Sequence, residues 1–201
     1  MRRWFLVLIV VLAGCASDGR SLREASADQT TTTRPPPPTS ALDQERSPTG
    51  LELKSPDFLP GAPAPIDVTC DGENRFPNLA WEQVPVGAAE LAVTLSDQTD
   101  PENGLLLWLM AGISPSETGL QSGIAPAGAY ETLNDYGNLG YGNPCLEGLG
   151  EGTRDLQFRL YVLDQPSGLA PGDPGNDAWL SLQAQATDSA TVLMRITPPE
   201  P

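Results

Sequence analysis

Short apolar runs separated by turn-forming residues fill the chain from Leu51 to Pro198 and limit the folds open to it. Four runs have the length of a β-strand, at residues 91–95, 105–110, 156–163 and 191–196. The third alternates strictly, with Leu156, Phe158, Leu160 and Val162 on one face, as a half-buried strand does. The second is apolar throughout, which favours a strand covered on both faces.

The segments between these runs are rich in turn signals, including Asp-Pro, Asn-Gly and Gly-Asp-Pro-Gly. Only the segment from Asp177 to about Ala186 is plausible as a helix, and Asn176 is positioned to cap its start. The sequence therefore predicts a mostly β domain of two packed sheets.

The first fifteen residues are typical of an export signal. Two arginines precede nine apolar residues, at positions 4–12, and small residues then lead to Cys15. The apolar run is far shorter than the roughly 20 residues that a membrane-spanning helix needs. Residues 12–15, Leu-Ala-Gly-Cys, resemble the bacterial lipoprotein box, in which the cysteine thiol receives a lipid. The alternative is a signal or signal anchor with an incidental cysteine.

This interpretation divides the chain into three parts. Residues 1–14 are a lipoprotein signal peptide, and residues 15–50 are a lipid-anchored, disordered tether rich in threonine and proline. The tether is also a candidate for O-glycosylation. Residues 51–198 are the folded domain. We expect the lipid on Cys15 to hold the protein on the cell membrane, facing the extracytoplasmic side.

Charge and composition exclude several classes of function. The chain has 26 acidic and 11 basic residues, a net charge of −15, and no histidine. Such a chain repels nucleic acid phosphates, and it lacks the imidazole that most nucleophilic triads and many metal sites need. We expect no cofactor. Oxygen donors at Asp97 and residues 100–103 are a weak calcium candidate, and a solvated hairpin tip is favoured there.

Two cysteines remain once Cys15 carries a lipid. In an exported protein such a pair, here Cys70 and Cys145, is typical of a disulfide. The alternative is two free buried thiols.

A series of motifs resembles the phosphatidylethanolamine-binding protein (PEBP) family, and in particular its bacterial Raf-kinase-inhibitor-like branch. They include Thr-Cys-Asp-Gly at 69–72, Asn-Asp-Tyr-Gly at 134–137, and Gly-Tyr-Gly-Asn-Pro-Cys at 140–145. In order, they span nearly all of residues 51–198. The resemblance implies a β-sandwich with a large antiparallel sheet and one or two short helices, and it places the Cys70 and Cys145 loops near one pocket.

The resemblance also implies a pocket for phosphate or phospholipid headgroups, formed by an aspartate turn and two histidines. Here Asp97 matches the aspartate, Leu107 stands at the first histidine and Arg154 at the second, while Thr99 and Leu156 replace a further aspartate and a tyrosine. The candidate pocket comprises Asp97, Pro101, Leu107, Trp108, Tyr141, Pro144 and Arg154.

These replacements weaken the case for anion binding. Leucine supplies no hydrogen-bond donor, and Glu147, Glu151 and Asp155 add negative potential. The guanidinium of Arg154 either binds an anion or forms an ion pair with a neighbouring acidic residue.

We therefore expect a monomeric, non-enzymatic, lipid-anchored cell-envelope protein with a degenerate anion pocket, binding a small anionic ligand or an envelope protein. The alternatives are a structural or interaction lipoprotein with a vestigial pocket and, third, a carboxylate-based enzyme.

Overall fold

The computed structural model describes residues 47–99, 104–142 and 152–197. These residues form nine strands, an α-helix and a 3-10 turn at Ile66–Val68. The strands are β1 Glu52–Lys54, β2 Ala62–Pro63, β3 Leu79–Glu82, β4 Glu90–Asp97, β5 Leu105–Ile113, β6 Gly119–Leu120, β7 Tyr130–Glu131, β8 Arg154–Leu163 and β9 Asp188–Ile196, and helix α1 is Gly175–Gln185. The four apolar runs are strands β4, β5, β8 and β9, so the mostly β prediction is confirmed.

The strands form two sheets. The larger has the order β2-β9-β8-β4-β5-β7 and the smaller the order β1-β3-β6. Strands β9, β8, β4, β5 and β7 pair antiparallel in that order, and the two-residue β2 pairs parallel with β9. The sheet therefore brings the end of β4 beside the starts of β5 and β8.

Both faces of the large sheet are covered, and the alternation of β8 shows how. Leu156, Phe158 and Leu160 lie in the core that also contains the small sheet. Tyr161 and Leu163 belong to a second core, which includes Ala178 and Leu182 of α1. Strand β5, apolar throughout, contributes side chains to both cores, as its composition predicted.

Helix α1 starts differently from the prediction. Pro174 occupies the N-cap position without a side-chain hydrogen bond, and Asn176 lies exposed inside the first turn, so the predicted Asn176 cap is wrong. Proline suits the start of a helix because its fixed φ is already helical and its missing N–H leaves no donor unpaired.

Four residues assigned to the tether belong to the folded part. Residues 47–50 form a turn in which the buried Ser47 hydroxyl donates to Asp188 Oδ2 at 2.6 Å and accepts from the Leu51 N–H at 3.0 Å. Thr49 Oγ1 also donates to Asp188 Oδ2. The ordered domain therefore includes residues before Leu51.

Several predicted features lie outside the described residues, namely the signal peptide, Cys15, Pro101, Pro144 and Cys145. The lipid anchor and the pairing of Cys70 with Cys145 accordingly stay predictions. In the part of the chain that the structure describes, no helix is long and apolar enough to cross a membrane.

Candidate functional site

A β-bulge in β5 sets the position of Leu107. Leu95 lies opposite Trp108 and Ser96 lies opposite Leu106, so Leu107 is the extra residue between them. The side chains of Leu107 and Trp108 both enter the core between the sheets. Bulges turn a side chain away from the regular alternation and are common beside functional sites. The bulge here delivers a leucine, fully buried, where the family resemblance places a histidine.

The loop at residues 134–142 covers the outer edge of β5 beside this bulge. The Gly142 N–H donates to the Leu107 carbonyl at 2.9 Å. Asp135 makes two hydrogen bonds to the backbone of Leu106. Its Oδ2 accepts from the Leu106 N–H at 2.6 Å, and its own N–H donates to the Leu106 carbonyl at 3.0 Å. Position 142 must be glycine, because a Cβ there would overlap the Leu107 carbonyl oxygen.

Asp97 and Arg154 meet where β4 ends and β8 begins. Arg154 Nη1 lies 3.4 Å from Asp97 Oδ2, and the two side chains are 20% and 8% exposed. The other carboxylate oxygen, Oδ1, accepts a hydrogen bond from the Thr99 N–H at 2.8 Å. Asp97 is thus a turn residue bonded to its own backbone, one of the two roles that the sequence left open, and it also pairs with Arg154.

Thr99 connects this turn to β8. Its hydroxyl accepts from the Asp155 N–H at 2.9 Å, and the Gln98 N–H donates to the Asp155 carbonyl at 2.8 Å. The Asp155 carboxylate points to Arg195, whose Nε lies 2.7 Å away. The negative potential expected from Asp155 is therefore balanced by an adjacent cation. The other two acids expected near the pocket, at positions 147 and 151, lie outside the described residues.

Tyr136 shares the environment of the ion pair. Burial raises the pKa of its phenol, the negative charges of Asp97 and Asp135 raise the pKa further, and the charge of Arg154 lowers it. The side chain remains 40% exposed. The candidate pocket derived from the sequence omitted Tyr136 and Asp135. Both belong to the Asn-Asp-Tyr-Gly motif, which was the available signal.

Trp108 and Tyr141 form part of the packed core beneath the site. Trp108 stacks on Phe76, with ring centroids 4.7 Å apart, and its Nε1 donates to Glu131 Oε1 at 2.7 Å. Tyr141 meets Trp108 edge to face at 5.6 Å and donates its hydroxyl to the Val68 carbonyl at 3.1 Å. Burial raises the pKa of Tyr141 far above its ordinary value. Their polar atoms are therefore used within the protein.

The polar groups closest to the ion pair are the Arg154 guanidinium, the carboxylates of Asp97 and Asp135, and the Tyr136 phenol. Within the described residues, Arg154 Nε is buried and has no hydrogen-bond acceptor. No group of three or more His, Cys, Asp and Glu residues there is arranged to hold a metal ion. The site can thus offer both donors and acceptors to a polar molecule, with the donors concentrated on Arg154.

Comparisons with known proteins agree with this architecture. The family model described as "Phosphatidylethanolamine-binding protein" matches residues 54–196. Among solved structures, a PEBP homologue from Chlamydia trachomatis has a TM-score of 0.66 at 22% identity, covering 75% of this chain and 99% of its own. The Escherichia coli protein YbcL has a TM-score of 0.67 at 23% identity, covering 74% and 99%. These two structures share the fold.

Curated relatives are more similar in sequence. "Putative lipoprotein LppC" of Mycobacterium tuberculosis is 35% identical over 189 residues, which are 94% of this chain and 90% of that protein. A "UPF0098 protein" of Methanothermobacter thermautotrophicus is 33% identical over 148 residues, 71% of this chain and 96% of its own length. The chain therefore belongs to the phosphatidylethanolamine-binding protein family, as the motifs in its sequence indicated.

Proposed function

We propose that this protein is a lipid-anchored, non-enzymatic component of the cell envelope whose PEBP domain is a binding module with a rewritten pocket. The pocket lies at the ends of β4, β5 and β8, and its ligand is a small polar molecule or a polypeptide. Two observations support the proposal. Leu107 occupies the bulge where a histidine is expected, and Arg154 is already paired with Asp97. A relative named as a lipoprotein supports the anchor.

Leu107 affects the chemistry of the pocket directly. An imidazole at the bulge would offer an N–H to a phosphate oxygen, whereas a leucine side chain offers only carbon. Because the bulge turns this position toward the core between the sheets, the apolar side chain is fully buried. Phosphate placed against it would lose water without gaining a hydrogen bond, which is costly.

Arg154 compensates only partly for the missing imidazoles. A guanidinium binds phosphate well when its donors are available. Here phosphate must compete with Asp97 for the same cation, and withdrawing Arg154 would leave the nearly buried Asp97 carboxylate without its counter-charge. Asp135 adds a second negative charge close by. The arrangement therefore disfavours a dianion and tolerates neutral or zwitterionic groups better.

A titration of the purified full-length protein tests this proposal. Phosphate, phosphoethanolamine and acetate are added up to millimolar concentrations while tryptophan fluorescence and the melting temperature are followed. We expect no response to phosphate. Stabilisation by submillimolar phosphate that disappears in Arg154→Ala, and persists in the control Arg195→Ala, would contradict the proposal, since Arg195 pairs with Asp155 instead of Asp97.

A second candidate is a structural or interaction lipoprotein with a vestigial pocket. It is favoured by the way that Asp97 and Asp135 already bind Arg154 or backbone N–H groups. The two candidates differ in one result. A binding module shows saturable binding to at least one member of a panel of amino acids, phosphoesters and short peptides, and that binding weakens in Arg154→Ala. A vestigial pocket binds none of them.

The anchor is tested separately from the pocket. Cys15→Ser removes the thiol that would carry the lipid, so we expect this variant to move from the membrane fraction to the soluble fraction of the cell. The neighbouring substitution Ala16→Ser is the control and should stay with the membrane. Membrane retention of Cys15→Ser equal to that of the wild type would refute the lipid anchor.

A further inference from the structure

A cavity lies on the opposite face of the large sheet from Leu107. It has a volume of about 710 Å³ and is lined mainly by residues of α1, β8 and the start of β9. Strand alternation explains its position, since Leu156 and Phe158 face the core between the sheets while Gln157 and Arg159 face the other side. The volume falls within the roughly 300–1,000 Å³ typical of small-molecule sites.

One wall of this cavity is a stripe along α1. Asn176, Trp179 and Gln183 line the cavity and follow the spacing i, i+3, i+7, which places them on one side of a helix. Ala178 and Leu182 lie in the core beneath α1, and Trp179 packs partly against that core. The stripe combines one aromatic ring with two amides, both exposed, and Leu180 beside it adds an exposed apolar side chain to the cavity.

The aromatic ring is held in place. Trp179 Nε1 donates to the Tyr161 hydroxyl at 3.0 Å, and its Cη2 atom would be 3.4 Å from a Cβ at Gly104, so the indole lies close to the neighbouring backbone. A half-buried indole fixed in this way offers a flat carbon surface without the entropy cost of ordering it on binding.

The floor of the cavity adds a third amide in a defined orientation. Gln157 Oε1 accepts from Arg159 Nε at 3.2 Å and from Arg159 Nη2 at 3.1 Å. Arg159 Nη1 also reaches Ser189 Oγ at 3.4 Å. These bonds assign the carbonyl side of the Gln157 amide to Arg159, which leaves its NH₂ group as the side available to a ligand.

This combination fits a neutral oligosaccharide. The hydroxyl groups of a sugar both donate and accept hydrogen bonds, and so do the amide groups of Asn and Gln. The C–H face of a pyranose ring packs on an indole. An anion is disfavoured by the net charge of −15, and the two charged side chains that line the cavity, Arg159 and Asp188, are of opposite sign. A peptide would use a free strand edge or apolar pockets, whereas this cavity lies between a helix and the face of a sheet, and most of the residues that line it are polar. We propose that the α1 groove, lined by Asn176, Gln157, Trp179 and Gln183, is a carbohydrate-binding site.

Calorimetry and saturation-transfer NMR on the full-length protein in detergent micelles test the site. The probes are the trisaccharides of glucose in β-1,4 and α-1,4 linkage and of N-acetylglucosamine in β-1,4 linkage. We expect at least one to bind with a millimolar or lower Kd and to show saturation transfer. The double variant Asn176→Ala/Gln183→Ala should weaken that binding by about tenfold or more, because two exposed hydrogen-bonding groups are lost.

Controls separate this site from general effects of substitution. Gln185→Ala changes the same residue type on the same helix but outside the cavity, where the amide donates to Ser181 and to the Ser167 carbonyl, and should leave the Kd within about twofold. The double variant should keep the wild-type melting temperature because both side chains are exposed. Arg154→Ala should leave sugar binding unchanged, which distinguishes failure of this inference from failure of the proposed pocket.

Two outcomes would overturn the proposal. The first is that no trisaccharide binds at about 10 mM, where even a weak site is largely occupied. The second is binding that is equally strong in the double variant and in Gln185→Ala.

Discussion

The junction at Asp188 gives the most quantitative prediction about the stability of this domain. Asp188 is buried at the start of β9, and its Oδ2 accepts from the hydroxyls of Ser47 and Thr49. Hydrogen bonds to a charged group contribute about 1.5–3 kcal/mol each, so Asp188→Ala should cost about 3–6 kcal/mol. The lower part of that range is favoured, because the Ser47 hydroxyl keeps its bond from the Leu51 N–H.

This cost is large compared with the total stability of a domain, about 5–15 kcal/mol. For a domain of this size it corresponds to a fall in Tm of about 6–24 °C. Scanning calorimetry measures the fall, and limited proteolysis shows whether residues 47–51 become accessible. Asp188→Asn keeps one acceptor oxygen, either for the two hydroxyls or for the Ser189 N–H that donates to Oδ1 at 2.7 Å, and should cost less than Asp188→Ala. Asp164→Ala, at an exposed position, should cost little. Equal Tm values for Asp188→Ala and Asp164→Ala would show that the hydrogen bonds of Asp188 do not stabilise the domain.

Two further predictions concern the loop beside β5. Gly142→Ala should destabilise the domain by about 3 kcal/mol or more, because its Cβ meets the Leu107 carbonyl. The control Gly137→Ala, where φ is positive but the surrounding space is open, should cost only about 1–2 kcal/mol. Urea denaturation measures both costs, and equal values would contradict the prediction. Because burial raises the pKa of Tyr141, the folded protein keeps the phenol proton that the unfolded chain loses above about pH 10. The contribution of this group to the free energy of unfolding is therefore complete below about pH 10 and falls as the pH rises above it. Tyr141→Phe should therefore lower the free energy of unfolding by about 1 kcal/mol at neutral pH, because the bond to the Val68 carbonyl is lost. Above about pH 10 the stability of this variant should fall less steeply than that of the wild type, by up to about 1.4 kcal/mol per pH unit. Parallel pH profiles of the two proteins in urea denaturation would contradict this prediction.

The strands were predictable from the sequence because their alternation or continuous apolarity reflects what covers each face. The bulge in β5 was not. Residues 105–110 are apolar on both sides, so no polar position marks where the alternation shifts, and only the register with β4 identifies Leu107 as the extra residue. The family resemblance placed Leu107 at the pocket without explaining how a strand could turn it there.

The tether boundary shows a different limit. Residues 47–50, Ser-Pro-Thr-Gly, have the composition of a linker, and nothing local distinguishes them from the preceding residues. Their order comes from Asp188, which is 141 positions from Ser47 in sequence. The same holds for the ion pair of Asp97 and Arg154, which depends on the antiparallel pairing of β4 and β8. Interactions between distant segments decide such details, and local patterns do not contain them.

Variants that restore histidine at positions 107 and 154 give the most direct test of whether the loss of two imidazoles removed phosphate binding from the pocket. Isothermal titration calorimetry compares the wild type, Arg154→His and the double variant Leu107→His/Arg154→His, each first checked for a cooperative thermal transition. We expect no detectable phosphate binding by the wild type and a gain of at least about tenfold in affinity for the double variant over Arg154→His. Wild-type protein that binds phosphate as tightly as the folded double variant would contradict this expectation.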